Sequence, residues 1–325
     1  MAVPSRLAGA VLLLSALLVV ALIAGASLGA TSLSWSDIIG GEEPARTIFL
    51  RIRLPRVLVG ALVGAALAIA GVTFQTLLRN PLADPFILGV SGGAACGAAV
   101  ATAFGLARRL PGIVPIVAFA GACLATFAVF ALARRRDHTD PTRLLISGLV
   151  LNAFFSAIIL ISFGLSRQSD LTAALRWMMG SLFLAGWIEV IILASLVFPA
   201  LAVLTWYSND MRMLVFGEDD AKSRGVDVEK VKLAGFACAS IITGAAVAVS
   251  GIIGFVGLLV PHLIRLIWRR DFRFILPLCA IGGATLMVLG DVVARTIVPN
   301  SELPVSAFTA LLGVPFFLSL LRRSA

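Results

Sequence analysis

Apolar residues in this chain fall in long unbroken runs, and polar residues collect in the short breaks between them. Ten apolar runs can be marked, at about 7–30, 55–77, 87–106, 112–133, 143–165, 186–206, 232–252, 254–267, 273–296 and 305–321. A helix needs about 20 apolar residues to cross a bilayer, so the pattern predicts some ten membrane-spanning helices. The eighth run is short and glycine-rich, which leaves nine spans plus a re-entrant segment as the alternative. Barrel strands would be shorter and would alternate, and these runs do neither. The first run extends beyond the apolar region of a signal peptide and only Arg6 precedes it, so it is read as a span. The expected fold class is all-α and polytopic, with one transmembrane domain over residues 1–325 and no soluble domain.

Composition supports this reading: 60% of the 325 residues are hydrophobic and 13% are charged, far from the balance of a soluble domain. The charges also set an orientation. With the N-terminus inside, the inner segments hold 17 of the 26 basic residues: Arg6, Arg79, Arg134, Arg135, Arg136, Arg143, Arg212, Lys222, Arg224, Lys230, Lys232, Arg265, Arg269, Arg270, Arg273, Arg322 and Arg323. Basic residues favour the cytoplasmic side, which places both termini in the cytoplasm. The net charge of +9 is then mostly the inner-loop excess that insertion requires, and no nucleic-acid partner is expected. Cys96, Cys123, Cys238 and Cys279 all lie in spans without metal-ligand spacing and read as small packing residues. His138 and His262 are isolated, so no metal site or cofactor is expected. No nucleophile–base or paired-carboxylate constellation is present, and the chain reads as a non-enzyme.

One internal echo stands out. Gly64 to Val72 reads GAALAIAGV and Gly244 to Ile252 reads GAAVAVSGI, with five of nine positions identical. The two segments lie on the second and seventh spans, which cross in opposite directions. That suits an inverted repeat closing around a central site, although GAA-rich patches are also common in packed membrane helices. The pairs Gly60/Gly64, Gly89/Gly93 and Gly93/Gly97 have the small-xxx-small spacing of close helix packing.

Several segments carry candidate chemistry. The longest inner loop, about 207–232, contains GEDDAKSRGVDVEKVK, in which Glu218, Asp219 and Asp220 precede Lys222 and Arg224. Gly217 and Gly225 can break it into two short helices, giving a charged dock for a soluble motor or an ordinary solvated loop. Its Gly217-x-x-x-x-Lys222-Ser223 spacing approaches a phosphate-binding loop, but Ala221 stands where the last glycine is needed. Any ATPase must therefore be another chain. On the outer side, Arg46, Arg51, Arg53 and Arg56 run against the charge bias and need a reason, of which snorkelling to lipid headgroups is the plainest. Asn152 and Gln75 are amides at lipid depth that must bond between helices or face a wet path. Asp84 is placed to pair with Arg79 in the proline turn, and Asp291 with Arg295 one helical turn on.

The collar RxRLPR, then GAALAxxG, Gln75, RNPLADPxxLGVSGGA, the Gly254 to Arg265 segment and Glu302-Leu303-Pro304 resemble the FecCD-type permease subunits of ATP-binding-cassette importers for ferric siderophores, haem and vitamin B12. The resemblance covers nearly the whole chain. It implies a homodimer in the bacterial inner membrane, two copies of a separate ATPase below and one periplasmic or lipid-anchored binding protein above. It further implies that Arg53, Arg56 and Arg295 meet that binding protein. The loop with Gly217, Glu218, Asp219, Asp220, Lys222, Arg224 and Gly225 would enter the ATPase. The fifth span, with Asn152, Phe155 and Ser156, would line the path, with Gln75 near its inner end and Pro141 and Thr142 as the inner gate. Ferric siderophore is the expected cargo, with cobalamin and haem open. The alternative from another class is a proton-coupled secondary transporter, which would require a free intramembrane carboxylate.

Overall fold

A computed structural model of the chain describes residues 5–29, 35–40, 43–110, 112–135, 138–183, 185–268, 272–298 and 302–324. Ten helices follow the ten apolar runs: α1 (Ser5–Ser27), α2 (Leu54–Leu77), α3 (Val90–Ala103), α4 (Ile113–Ala133), α5 (Pro141–Leu165), α6 (Trp187–Trp206), α7 (Val228–Ser250), α8 (Val256–Ile267), α9 (Phe272–Thr296) and α10 (Val305–Ser324). Shorter helices fill the connections, and a two-residue ladder, Arg134–Arg135 with His138–Thr139, precedes α5.

Among the described residues, seven helices are long and apolar enough to cross a membrane; α3, α8 and α10 present shorter apolar stretches. The third run was expected to span fully. Its helix has only 14 residues, about 21 Å against a hydrocarbon core of about 30 Å. The reason lies in the preceding turn. Residues 78–89 leave the helix, and α3 starts only after Gly89, which has φ of 84°. The eighth run behaves alike: α7 ends at Ser250, the chain crosses Gly251–Gly254 without helix, and α8 starts after Phe255 at φ 68°. Two short helices, each launched from a left-handed residue, thus follow the two GAA-bearing helices.

The packing repeats the same exchange. α2 packs against α9 and α8, while α7 packs against α4 and α3. Swapping one five-helix half for the other interchanges these pairs, as an inverted repeat requires. α2 is the centre of the bundle, with nearly every residue from Val63 to Leu77 buried. Lipid supplies no hydrophobic force between helices, so association rests on close backbone approach. The first and last glycines of GAALAIAG provide it. A Cβ on Gly64 would overlap the Gly283 carbonyl of α9, and one on Gly71 the Gly257 carbonyl of α8. Around this core, α1, α5 and α6 turn large apolar side chains outward, including Leu12, Val20, Leu149, Phe154, Ile161, Ile191 and Phe198.

The turn after α2 corrects one expectation. Arg79 does not pair with Asp84; it reaches Glu218 at 3.6 Å. Asp84 is buried, and its Oδ1 accepts from the Phe86 amide at 2.8 Å. Burial pushes the Asp84 carboxyl up to about 6, with the Phe86 amide pulling the other way. Because the folded value lies above the unfolded one, ionisation of Asp84 weakens the fold as pH rises through about 4 to 6, and the penalty persists above that. Asp84→Asn keeps the acceptor and is expected to raise the melting temperature in detergent by a few degrees at pH 8, with no gain at pH 4. An equal shift at both pH values would exclude ionisation as the cause. Gly71→Leu is expected to lower the melting temperature sharply, overpacking costing about 1–3 kcal/mol or more. Gly9→Leu on the open face of α1 serves as the neutral comparison; equal melting of the two variants would remove close approach from the account.

Candidate functional site

At the end of the bundle predicted to face outward, the predicted docking arginines are brought together but turned inward. Arg53, Arg56 and Arg295 are all buried. The local cause is a π turn, Phe49–Arg53, leading into α2, which leaves Arg51 exposed and Arg53 inside. Arg56 donates from Nη2 to Asp291 Oδ1 at 2.8 Å and from Nη1 to Glu302 Oε1 at 2.9 Å, with further bonds from Nε and Nη2. It therefore ties α2 to α9 and to the segment entering α10. The expected Asp291–Arg295 pair is present at 3.5 Å, but the principal partner of Asp291 is Arg56. Arg295 donates to the Gly25 carbonyl, and Arg53 Nη1 to the carbonyls of Ser27 at 2.5 Å and Ala26 at 3.3 Å. The last carbonyls of α1, which have no partners within the helix, are thus satisfied by two guanidinium groups. Glu302 is the most exposed member of the cluster, its side chain 39% accessible. Arg46 and Arg51 are exposed.

At the face assigned to the cytoplasm by the basic residues, the 207–232 loop forms two short helices, Ser208–Leu214 and Glu218–Ser223. Gly217 (φ 140°) breaks the first from the second, and Gly225 (φ 84°) follows the end of the second. Asp219, Asp220, Lys222 and Arg224 are exposed. Glu218 is not available in the same way. Its Oε2 accepts from Lys232 Nζ at 2.8 Å, where Lys232 is 2% exposed at the head of α7. Glu229, one turn away on α7, gives Lys232 a second carboxylate at 3.4 Å. A buried ammonium with two carboxylates pins the short helix to α7, and Arg79 pins it to α2. Breaking such a pair from one side costs about 3–5 kcal/mol.

The gate residues meet this helix. Asp140 caps α5 by accepting from the Thr142 amide at 2.8 Å, with Pro141 as the first helical residue, where its missing N–H costs nothing. The side chain of Pro141 lies outside the described residues. Thr142 and Asp140 line a groove of about 860 Å³ whose other wall is Gly217, Glu218, Asp219, Asp220 and Lys222. Predicted gate and predicted coupling helix are therefore the two sides of one cleft. Further along α5, Asn152 Nδ2 donates to the Phe86 carbonyl at 3.0 Å, holding α5 to the turn before α3. Phe155 is half-buried, whereas Phe154 and Ser156 are exposed, and Ser156 Oγ donates back to the Asn152 carbonyl at 2.8 Å. Gln75 is not with them. It is buried, donating to the Gly257 carbonyl at 3.1 Å and accepting from Arg265 Nη1 at 2.6 Å, so it clamps α2 to α8.

Three participants escape sequence reasoning. Lys232 passes for an inner-loop charge, although Glu229 three residues before it hints at a helical pair. Glu302 and Arg265 are visible only as parts of motifs, with no sign of their partners. Glu189 caps α6 by accepting from the Gly186 amide at 2.9 Å. His262 packs edge-on to Phe316 at 5.4 Å, and among the described residues no group of three His, Cys, Asp or Glu side chains is placed to hold a metal. The side chain of His138 lies outside the described residues.

Comparison with known proteins matches this architecture. The model of the FecCD transport family covers residues 17–323. The cobalamin import system permease protein BtuC of Halobacterium salinarum is 41% identical over 287 residues, 87% of this chain and 75% of the relative. The hemin transport system permease protein HmuU of Yersinia pestis is 39% identical over 312 residues, covering 94% and 93%. A solved structure described as an inward-facing conformation of a metal-chelate type ABC transporter superposes with a TM-score of 0.88 at 30% identity, over 99% of this chain and 100% of the other. With one family model spanning almost its whole length and relatives of this identity, the chain belongs to the FecCD transport family.

Proposed function

We propose that the chain is the membrane permease of an ATP-binding-cassette importer that brings a metal chelate into the cytoplasm across a bacterial inner membrane. The observation that carries this reading is the shared cleft of Thr142 and the Glu218–Ser223 helix. A separate ATPase engages Asp219, Asp220, Lys222 and Arg224, and Gly217 and Gly225 let the helix project toward it. Its closure is passed to α7 through Lys232 and to α2 through Arg79. The gate at Pro141 and Thr142 is one cleft-width away.

The path runs between two copies of the chain, along α5. One face of that helix, with Leu149, Val150, Phe154, Leu160 and Ile161, is uncovered in a single chain and suits a second copy. Asn152, Phe155 and Ser156 lie beside it, and Gln75 steadies the inner end. The outer binding protein first meets the exposed Arg46 and Arg51. One of its carboxylates then exchanges with Glu302 for Arg56, above the layer of Arg53 and Arg295. The relatives named for cobalamin and hemin support a chelate cargo; a ferric siderophore is a third member of that class. The proton-coupled alternative gains no support, because Asp291 is held by two arginines and Glu189 caps a helix.

The test is ATP-dependent uptake into liposomes holding this chain with its ATPase and binding protein, run in parallel with cobalamin, hemin and a ferric siderophore. One chelate is expected to accumulate. Asp219→Lys/Asp220→Lys is expected to reduce uptake at least tenfold without loss of the folded permease. Uptake driven by a proton gradient without ATP would refute the reading.

A further inference from the structure

Beside the coupling cleft lies a second cavity, of about 930 Å³, whose wall shares Arg79 and Arg224 with the coupling region. Arg79, Arg212, Arg224 and Arg265 all line it, together with His262, and among the described residues no carboxylate does. Two of these arginines are already engaged, Arg265 by Gln75 and Arg79 by Glu218 on the far side of the wall. The guanidinium groups of Arg212 and Arg224 have no hydrogen-bond or ion-pair partner among the described residues. Guanidinium groups gathered in one recess repel each other unless an anion is placed among them. The planar fork matches phosphate oxygens in pairs.

The remaining wall says what kind of phosphate. Met213, Val215, Phe216, Leu266 and Ile275 are apolar, and Phe216 is 74% exposed. The recess sits at the ends of α2 and α8 on the face that the basic residues assign to the cytoplasm. Basic pockets between helices on this side of a membrane suit anionic lipid headgroups. We propose that this cavity is an anion site for a phosphate-bearing ligand, filled by the headgroup of an anionic phospholipid of the inner leaflet. The arginines hold the phosphate and the apolar wall takes the glycerol and first acyl carbons. Since Phe216 and Arg79 line both this cavity and the coupling cleft, an occupant here also steadies the base of the coupling helix.

The experiment is native mass spectrometry of the full-length chain, delipidated in detergent and titrated with phosphatidylglycerol, with phosphatidylcholine of the same acyl chains, and with inorganic phosphate. One phosphatidylglycerol is expected to bind at least about tenfold more tightly than phosphatidylcholine. Arg212→Gln/Arg224→Gln should lose that preference, and Arg212→Lys/Arg224→Lys should keep most of it. Displacement of the lipid by millimolar inorganic phosphate, abolished in the glutamine variant, would confirm the anion site and assign it to a soluble phosphate. Equal binding of the two lipids by the unaltered chain would overturn the proposal. So would unchanged phosphatidylglycerol and phosphate binding in a glutamine variant that melts like the parent. If the glutamine variant fails to fold, the two-lipid comparison and the lysine variant decide.

Discussion

The structure depends on the burial of α2 against two other backbones. A helix so enclosed in lipid-depth sequence gains little from hydrophobicity, since its surroundings are as apolar as its own side chains. What holds it is contact distance, set by Gly64 against Gly283 and Gly71 against Gly257, and polar attachment at its two ends. At one end Arg56 binds Asp291 and Glu302; at the other Gln75 binds Gly257 and Arg265. Every one of these partners belongs to the second half of the chain. The helix of one repeat is thus clasped by the other repeat, and α7 is clasped in turn by α4 and α3.

This arrangement explains why charges that look expendable are buried. An arginine inside a membrane protein must have carboxylates or carbonyls to meet it. Arg53 and Arg295 find the terminal carbonyls of α1, and Arg56 finds two acids. Lys232 finds Glu218 and Glu229 at the other face. The two clusters differ in use. The first closes the bundle and leaves Glu302 partly exposed. The second fastens a short exposed helix to the two most buried helices, α2 and α7, so a push on that helix has a stiff route into the core.

Much of the fold is legible in the apolar runs, because lipid allows few backbone solutions and each run has to be a helix. The short lengths of α3 and α8 are less legible. They follow from left-handed residues, and Phe255 gives no compositional warning of that geometry. At the candidate site, residue types indicate the charged loop and its glycine breaks, because those act locally. Partners are another matter. Arg53, Arg56 and Arg295 are recognisable as exceptional outer cations, yet the sequence cannot distinguish an arginine that faces solvent from one turned back onto α1 and α9. That choice is made by a π turn and by residues more than 200 positions away. Gln75 and Asn152 illustrate the same limit, each proving to bond a backbone carbonyl far along the chain, in α8 for Gln75 and in the turn before α3 for Asn152.

The central claim is that the Glu218–Lys232 bond carries force from a motor into the bundle. The most direct measurement is the ratio of chelate taken up to ATP hydrolysed by the reconstituted complex bearing Glu218→Gln/Lys232→Met, which removes both charges of the bond while their other partners, Arg79 and Glu229, stay within reach of water. The account expects ATP hydrolysis to persist while the ratio falls at least tenfold. An unchanged ratio in the folded double variant would show that the bond is merely structural and that coupling takes another route.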